Sequence, residues 1–317
     1  MAPAGRGRNP TRSRMRSLPI ALCCVVFALA CATTESGESV ESDAEAWERL
    51  YASGSRWSKT KTDASALYYE RAWHKAQAVF AVGDPRRVRS ELGLGEAYRR
   101  QGQIEKAQRL LELARDHARA LSPAEPELRA DVLESLGLLE VMQGRLAEAE
   151  AAFTECAEIR IGSLEPTAPE TAESIVLLAE VQRRLGKHRL AEVNLLEAAL
   201  IYGDHGGRYA IRIATIQNNL GLLYQAMERF DVAERQHRQA IVTARQVAGE
   251  SSPNVAIYRR SLADLYARQG KWVEALRIYE QSLEMLKRSV GSDHIETRLT
   301  EDRIEKVKAR LGRGNSP

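Results

Sequence analysis

The chain has 317 residues, enough for one large domain or two modest ones, and its 44% hydrophobic and 28% charged residues indicate a soluble globular protein rather than a disordered one. Aromatic residues make up only 6% and proline only 10 residues, which excludes an aromatic-rich core and a collagen-like or proline-rich tract. The formal charge is +3, but five arginines lie within residues 1–31, and the remaining 41 basic and 43 acidic residues leave about −2. Bulk electrostatics therefore gives no reason to expect nucleic-acid binding.

Residues 1–30 have the pattern of an export signal. Arginines precede an apolar run at residues 18–30, which is too short for a comfortable membrane span but suits the core of a signal peptide. Translation can begin at Met1 or at Met15. Small residues end the run at Ala30, and Cys31 follows directly. We therefore predict a signal peptide over residues 1–30, cleaved after Ala30.

The Ala-Leu-Ala-Cys sequence at this boundary resembles a bacterial lipoprotein signal. The resemblance implies a lipid on the Cys31 thiol and a membrane-anchored lipoprotein in the cell envelope, facing the periplasm. It departs from that family at Ala28, where Leu is usual. The alternative is simple cleavage, which would give a secreted or periplasmic soluble protein. Residues 31–44 are polar and are expected to form a flexible tether. Because Cys156 is the only cysteine inside the folded part, we expect no intramolecular disulfide.

The body of the chain repeats with a spacing of 42 residues. Each repeat has Leu followed by Gly or Ala, and small residues return 13 and 20 positions after that Leu. A Gly stands 8 positions after the Leu in every repeat except the fourth, which has Glu228. A fixed period of this length indicates stacked supersecondary units. The repeated leucines are Leu94, Leu136, Leu178, Leu220 and Leu262.

Each repeat has the periodicity of two helices. Apolar residues recur at helical spacing on both sides of the Gly, which suits the left-handed residue that ends a first helix. Glu228 would be strained there by about 1 kcal/mol, so we expect the fourth turn to be reshaped. Small residues allow the paired helices to approach closely. No segment alternates with the two-residue period of a strand. Larger residues are expected to fill the space between the helices: Leu111, Phe153, Leu195 and Tyr279.

The run from Leu262-Ala263 through Tyr266 and Gly270 to Ala275 resembles the tetratricopeptide repeat. The 42-residue period and Asn218-Asn219-Leu220 are similar to the kinesin-light-chain type of that repeat. The resemblance implies an all-α tetratricopeptide repeat solenoid, a right-handed superhelix of antiparallel helix pairs with a C-terminal capping helix. The expected organisation is a degenerate repeat at residues 45–85, five repeats at 86–295, a capping helix at 296–311 and a disordered tail at 312–317.

Sequence motifs for catalysis are missing. Gly93 and Gly95 lack the third glycine of a dinucleotide loop and lie inside a predicted helix, and the six histidines stand apart. Cys156 takes the place of a small packing residue, which predicts an inert, buried thiol. We expect a protein that is not an enzyme, with no cofactor, no metal and no small-molecule substrate.

The family resemblance places the first helix of each repeat along a concave groove. Arginine pairs at groove positions suit carboxylates and suggest an acidic peptide. Acidic residues such as Glu96 and Glu180 stand beside them, so pairing of these charges with one another is the alternative. The candidate partner-binding residues are Arg99, Arg100, Met142, Arg183, Arg184, Asn218, Asn219, Gln225, Arg260 and Arg268.

These observations predict a non-catalytic protein–protein interaction scaffold of the cell envelope. Its groove would bind partner peptides or domains, and a lipid would hold it to the membrane. The alternative is a regulatory or sensor module attached to a separate enzyme or envelope assembly machine. Neither hypothesis includes a nucleic-acid partner.

Overall fold

The computed structural model describes residues 42–58, 62–121, 125–163 and 166–314. The predicted signal, most of the tether and Cys31 lie outside these ranges. Within them the chain is all-α, as predicted, with no strand. The helices are α1 Asp43–Trp57, α2 Thr62–Val79, α3 Pro85–Arg100, α4 Ile104–Arg119, α5 Pro126–Met142, α6 Leu146–Ser163, α7 Pro169–Arg184, α8 His188–Asp204, α9 Ala210–Ala226, α10 Phe230–Ala248, α11 Pro253–Arg268, α12 Trp272–Ser289 and α13 Ile295–Gly314.

Proline sets the start of many first helices. α3, α5, α7 and α11 each begin with Pro, whose fixed φ suits the first turn and whose missing N–H would have no partner there. Before α3, the Asp84 carboxylate accepts a hydrogen bond from the backbone N–H of Arg86 at 2.8 Å. The Arg86 side chain also holds this carboxylate, and these hydrogen bonds lower the pKa of Asp84 below its usual value.

The turn between the two helices of a repeat has the same backbone geometry in all five repeats. Gly186 has φ of 76°, and the N–H of the following Lys187 donates to Gln182 O at 2.8 Å. At the equivalent position Glu228 has φ of 59°, and the next N–H, of Arg229, donates to Tyr224 O at 2.9 Å. The expected reshaping of the fourth turn is therefore wrong. Glu228 adopts the left-handed conformation at a cost of about 1 kcal/mol, because the helices on both sides fix the backbone.

Close helix approach depends on the small residue after each repeated Leu. A Cβ on Gly137 would lie 2.6 Å from Phe153 Cε1, and one on Gly221 would lie 2.6 Å from His237 Cε1. Real Cβ atoms do not approach other carbons so closely, so Gly is required at both places. Phe153 is fully buried, as are the other three residues expected to fill this space. In the fourth repeat His237, for which no core role was predicted, takes the same place and is fully buried.

The helices form two layers. Each helix packs against the next one along the chain, and odd-numbered helices also pack closely on one another at every step except α5 to α7. Even-numbered helices do not pack closely on one another among the described residues. The odd-numbered helices are therefore the crowded inner layer that lines the groove, and the even-numbered helices form the outer layer. This arrangement is the predicted solenoid of antiparallel pairs.

Both ends of the array are closed by further helices. At the start, α1 and α2 pair, and Trp47 Nε1 donates to Ser90 Oγ of α3 at 2.8 Å. At the end, α13 packs on α12 through the buried Ile304 and Val307. This helix continues to Gly314, so residues 312–314 are helical rather than part of a tail. No helix in the described ranges combines the length and apolarity needed to cross a bilayer.

Candidate binding groove

Two of the predicted groove arginines are paired with acids of their own helix. Arg100 Nη1 lies 3.2 Å from Glu96 Oε2 on α3. On α7, Arg183 donates two hydrogen bonds to Glu180, at 2.9 and 2.6 Å. These ion pairs agree with the alternative hypothesis, in which the arginines and acidic residues of the groove pair with one another. The neighbouring Arg184 is exposed.

Arg99 and Met142 are brought together from adjacent repeats. Arg99 Nη1 lies 4.0 Å from Met142 Sδ, and burial lowers the pKa of this guanidinium below its usual value. Its Nε is buried and has no hydrogen-bond partner. Met142 keeps half of its surface exposed. Arg99 and Met142 therefore place a partly buried cation beside an exposed thioether.

The two asparagines of the fourth repeat have different surroundings. Asn218 is buried, and its Oδ1 lies 3.0 Å from His237 Nδ1 inside the helix pair. The prediction of Asn218 as a groove residue is therefore wrong: it is part of the core. Successive helical residues point about 100° apart, so Asn219 faces the groove instead. It lines a cleft of about 250 Å³ with Tyr202 and the ion pair between Glu173 and Arg212, whose atoms are 3.1 Å apart.

A buried arginine from the outer layer pairs with acidic residues of the inner layer. Arg160 of α6 has only 6% of its side chain exposed and lies 2.6 Å from Glu134 and 2.7 Å from Asp131, both on α5. Its Nη1 also donates to Ser174 Oγ of α7 at 2.6 Å. Burial raises the pKa of Glu134 above its usual value despite this pairing. The cluster joins three helices, and the buried Nε of Arg160 lies 3.6 Å from Glu127 Oε2 without a hydrogen-bond partner.

Cys156 lies beside the Arg160 cluster. It is fully buried, as predicted, and its Sγ is 3.5 Å from Ser174 Oγ. Burial raises the pKa of the thiol to about 11, which leaves it protonated at neutral pH. The described residues contain no group of three or more His, Cys, Asp or Glu side chains arranged to hold a metal ion.

The C-terminal end of the groove forms an open basic cleft of about 520 Å³ between α9, α11, α12 and α13. Its only acidic lining residue, Asp264, accepts a hydrogen bond from Tyr279 at 2.6 Å and lies 3.3 Å from Arg303. The predicted residues Gln225 and Arg268 lie here, and Gln225 Oε1 is buried with no hydrogen-bond partner. We call this the basic cleft; its lining is Leu222, Gln225, Asp264, Ala267, Arg268, Trp272, Tyr279, Arg303, Lys306, Val307 and Arg310.

Arg260 is the remaining predicted residue, and it does not face the basic cleft. Its Nη1 lies 2.5 Å from Glu296 Oε2 at the start of α13. Only 14% of the Arg260 side chain and 25% of the Glu296 side chain are exposed. This pair attaches the capping helix to the fifth repeat, so Arg260 stabilises the end of the array.

Comparison with known proteins identifies the repeat. Models of the tetratricopeptide repeat match residues 128–202 and 212–312, and residues 92–163. These matches cover more than half of the chain. The chain belongs to the tetratricopeptide repeat family.

Among tetratricopeptide repeat proteins, it is similar to proteins of the kinesin-light-chain type. It is 28% identical to Protein KINESIN LIGHT CHAIN-RELATED 1 of Arabidopsis thaliana over 149 aligned residues. The aligned region covers 47% of this chain and 24% of that protein. The chain thus spans about a quarter of that relative.

Two solved structures show the same fold. BtubC (BKLC) from P. vanneervenii is 22% identical with a TM-score of 0.53, over 86% of this chain and 94% of that one. A Rap protein complexed with Competence and Sporulation Factor is 12% identical with a TM-score of 0.54, over 84% and 86%. At these identities the likeness concerns the fold only.

Proposed function

We propose that the protein is a non-catalytic scaffold that binds an acidic segment of a partner protein in the basic cleft. Tetratricopeptide repeat proteins generally mediate protein–protein interactions, and the fold of the Rap protein is seen in a complex. The observation that carries the proposal is the cleft lining, which has four cationic side chains and one carboxylate. Arg303 pairs with that carboxylate and Lys306 with Asp302, so Arg268 and Arg310 are the lining cations outside the ion pairs of the described residues.

The lining also indicates the shape of the ligand. The lining includes the apolar residues Leu222, Ala267, Trp272 and Val307, which we call its floor, and the cations Arg268 and Arg310. The Arg310 guanidinium lies 5.9 Å from the centre of the Trp272 ring. An apolar side chain would bury surface on the floor, and flanking carboxylates would reach the guanidinium forks. The proposed ligand is therefore a short extended segment with one leucine or aromatic residue between glutamates or aspartates.

A peptide-binding experiment tests this proposal. The probe is a fluorescein-labelled peptide with one leucine between glutamates, compared by fluorescence anisotropy with the same peptide carrying glutamines. The double change Arg268→Glu/Arg310→Glu should weaken binding of the acidic peptide at least tenfold, because both cations that meet its carboxylates are reversed.

The matched control makes the same charge change away from the groove. Arg119 and Arg288 are 63% and 78% exposed on outer helices, and Arg119→Glu/Arg288→Glu should leave the affinity within twofold. Equal weakening by both pairs would show general charge attraction and contradict the proposal. Equal binding of the acidic and glutamine peptides would do the same.

We also propose that the protein is exported and anchored in the cell envelope by a lipid on Cys31. The support is the apolar run before Cys31 and the polar residues after it. Labelling of producing cells with an alkyne fatty acid should mark the protein, and Cys31→Ser should abolish the label. Cys156→Ser is the control and should stay labelled. A mature, exported chain without label would replace the lipid anchor with simple secretion.

A further inference from the structure

The outer face of α8 carries a row of exposed apolar side chains. Leu190 is 54% exposed, Val193 60%, Leu196 48% and Leu200 72%. Their spacing of three and four residues places them on one side of the helix. Single exposed apolar residues are ordinary, but a contiguous row on a water-facing helix marks a contact surface. We call these four residues the α8 stripe.

The repeat provides an internal comparison for the α8 stripe. The 42-residue spacing identifies the same four positions on every outer helix, and at both ends of the array they are all charged. The fold therefore does not require apolar residues there. On α4 the positions hold Lys106, Arg109, Glu112 and Asp116, and on α12 they hold Glu274, Arg277, Glu280 and Glu284.

The outer helices on either side of α8 carry opposite charges. The exposed charged residues of α6 are acidic, and those of α10 are basic apart from Asp231 in its first turn. Arg238 and Arg245 also pair within their own chain, with Glu234 at 2.8 Å and Glu250 at 2.6 Å. Across the middle of the outer face the order is therefore acidic, apolar, basic. The acidic residues are Glu148, Glu155 and Glu158, and the basic residues are Arg235, Arg238 and Arg245.

We propose that this face forms a homodimer, with α8 packed parallel to α8 of a second copy. A two-fold axis parallel to α8 reverses the order of the outer helices in the partner. It sets the acidic α6 of each copy opposite the basic α10 of the other, and the two apolar rows meet at the axis. A two-fold axis across the helices would set α6 against α6, where like charges repel.

The size of the α8 stripe explains why the flanking helices take part. Its four side chains expose on the order of 400 Å², about half of the roughly 800 Å² per partner that a stable interface needs. The charged residues of α6 and α10 supply the rest. An anionic membrane surface is a poorer occupant, because Glu148, Glu155 and Glu158 would be repelled by its headgroups.

Disulfide cross-linking of the full chain in mild detergent tests the geometry. In a parallel pair Val193 lies close to Val193 of the second copy, so Val193→Cys should form a covalent dimer on mild oxidation. Arg109→Cys and Arg277→Cys occupy the same repeat position on α4 and α12 and are the matched controls. Both should stay monomeric on a non-reducing gel. Equal cross-linking of all three would show random collision and overturn the proposal.

Molar mass and charge exchange test the interface independently. Leu196→Glu/Leu200→Glu should raise the dimer dissociation constant at least tenfold in sedimentation equilibrium. Val273→Glu, on α12 and 67% exposed, should leave it unchanged. Glu148→Arg or Arg235→Glu should each weaken the dimer, and the double exchange should restore it, because the opposed charges are swapped together.

Specific outcomes would overturn the homodimer. A wild-type chain that stays monomeric well above micromolar concentration has no such interface. Binding of that monomer to phosphatidylglycerol vesicles, lost in Leu196→Glu/Leu200→Glu, would assign the α8 stripe to a membrane instead. A dimer in which the double charge exchange fails to restore affinity would contradict the parallel two-fold arrangement.

Discussion

The Arg160 cluster and the basic cleft use the same side-chain chemistry in opposite ways. In the cluster, Arg160 is 6% exposed and meets acidic residues on α5 and a hydroxyl on α7. In the basic cleft, Arg268 is exposed, and the only acidic lining residue is already held by Tyr279 and Arg303. The first arrangement ties helices together, and the second leaves cations free for a partner.

The difference teaches that burial decides what a groove charge does. A buried charge must be paired within the protein, because its desolvation is costly, so it becomes structural. An exposed charge contributes little to folding and stays available for binding. The effect of a substitution on stability should therefore decrease from the most buried charge to the most exposed one.

Arg160→Met should be the most damaging change, with a loss of about 3 kcal/mol in the free energy of unfolding, because it removes the charge-assisted hydrogen bonds to Glu134 and Asp131, whose side chains are 25% and 51% exposed. Urea denaturation measures the loss. Lowering the pH should restore part of it, since a carboxyl whose folded pKa is raised takes up a proton on folding. Arg268→Met is the control and should leave stability essentially unchanged; equal losses would contradict the contrast between cluster and cleft.

His237 is a buried titratable side chain whose pKa is shifted by burial alone, so it tests the effect of burial in the absence of an ion pair. Burial lowers the pKa of His237 from 6.5 to about 4. Between these pH values the histidine is protonated in the unfolded chain and neutral in the folded chain. Stability should therefore fall by on the order of 2–3 kcal/mol as the pH drops from about 6.5 to 4. Asn218→Val/His237→Leu copies Val176 and Leu195 of the third repeat and should remove this histidine contribution. An unchanged pH profile in the double variant would show that other groups titrate.

The Arg260–Glu296 pair is intermediate in burial. With 14% and 25% of the side chains exposed, Arg260→Met should cost about 1–2 kcal/mol. Because the pair joins α11 to the start of α13, amide hydrogen exchange should increase first in α13. Unchanged protection of α13 together with loosening elsewhere would show that the pair does not hold the capping helix.

The smallest effect is expected at the edge of the basic cleft. Lys306 and Asp302 lie 2.6 Å apart but are 64% and 49% exposed, so Asp302→Ala should change stability by less than about 0.5 kcal/mol. The same change should leave Lys306 free and raise affinity for the acidic peptide slightly. If Asp302→Ala destabilised the protein as much as Arg260→Met does, the loss of stability would not depend on the burial of the ion pair, which would contradict the prediction.

Much of the fold could be predicted from the sequence because the same packing and turn residues recur in five repeats. Leu followed by Gly or Ala, and Gly at the turn, specify close packing and a left-handed residue through local geometry alone. The candidate site was less predictable. Asn218 and Asn219 are adjacent in the sequence, yet one is buried against His237 and the other faces a cleft. The 42-residue register could have identified His237 as a core residue and revealed the α8 stripe.

The sequence by itself determined the all-helical repeat, its turns and its small-residue contacts, since these depend on backbone conformation and on residues close together in the chain. Tertiary structure decided which charges are available. Arg160 reaches acids 26 and 29 positions away only because α6 packs on α5. The same packing leaves the cations of α11 and α13 around an open cleft. Electrostatic pairing depends on distance and burial, and both are set by how the helices stack.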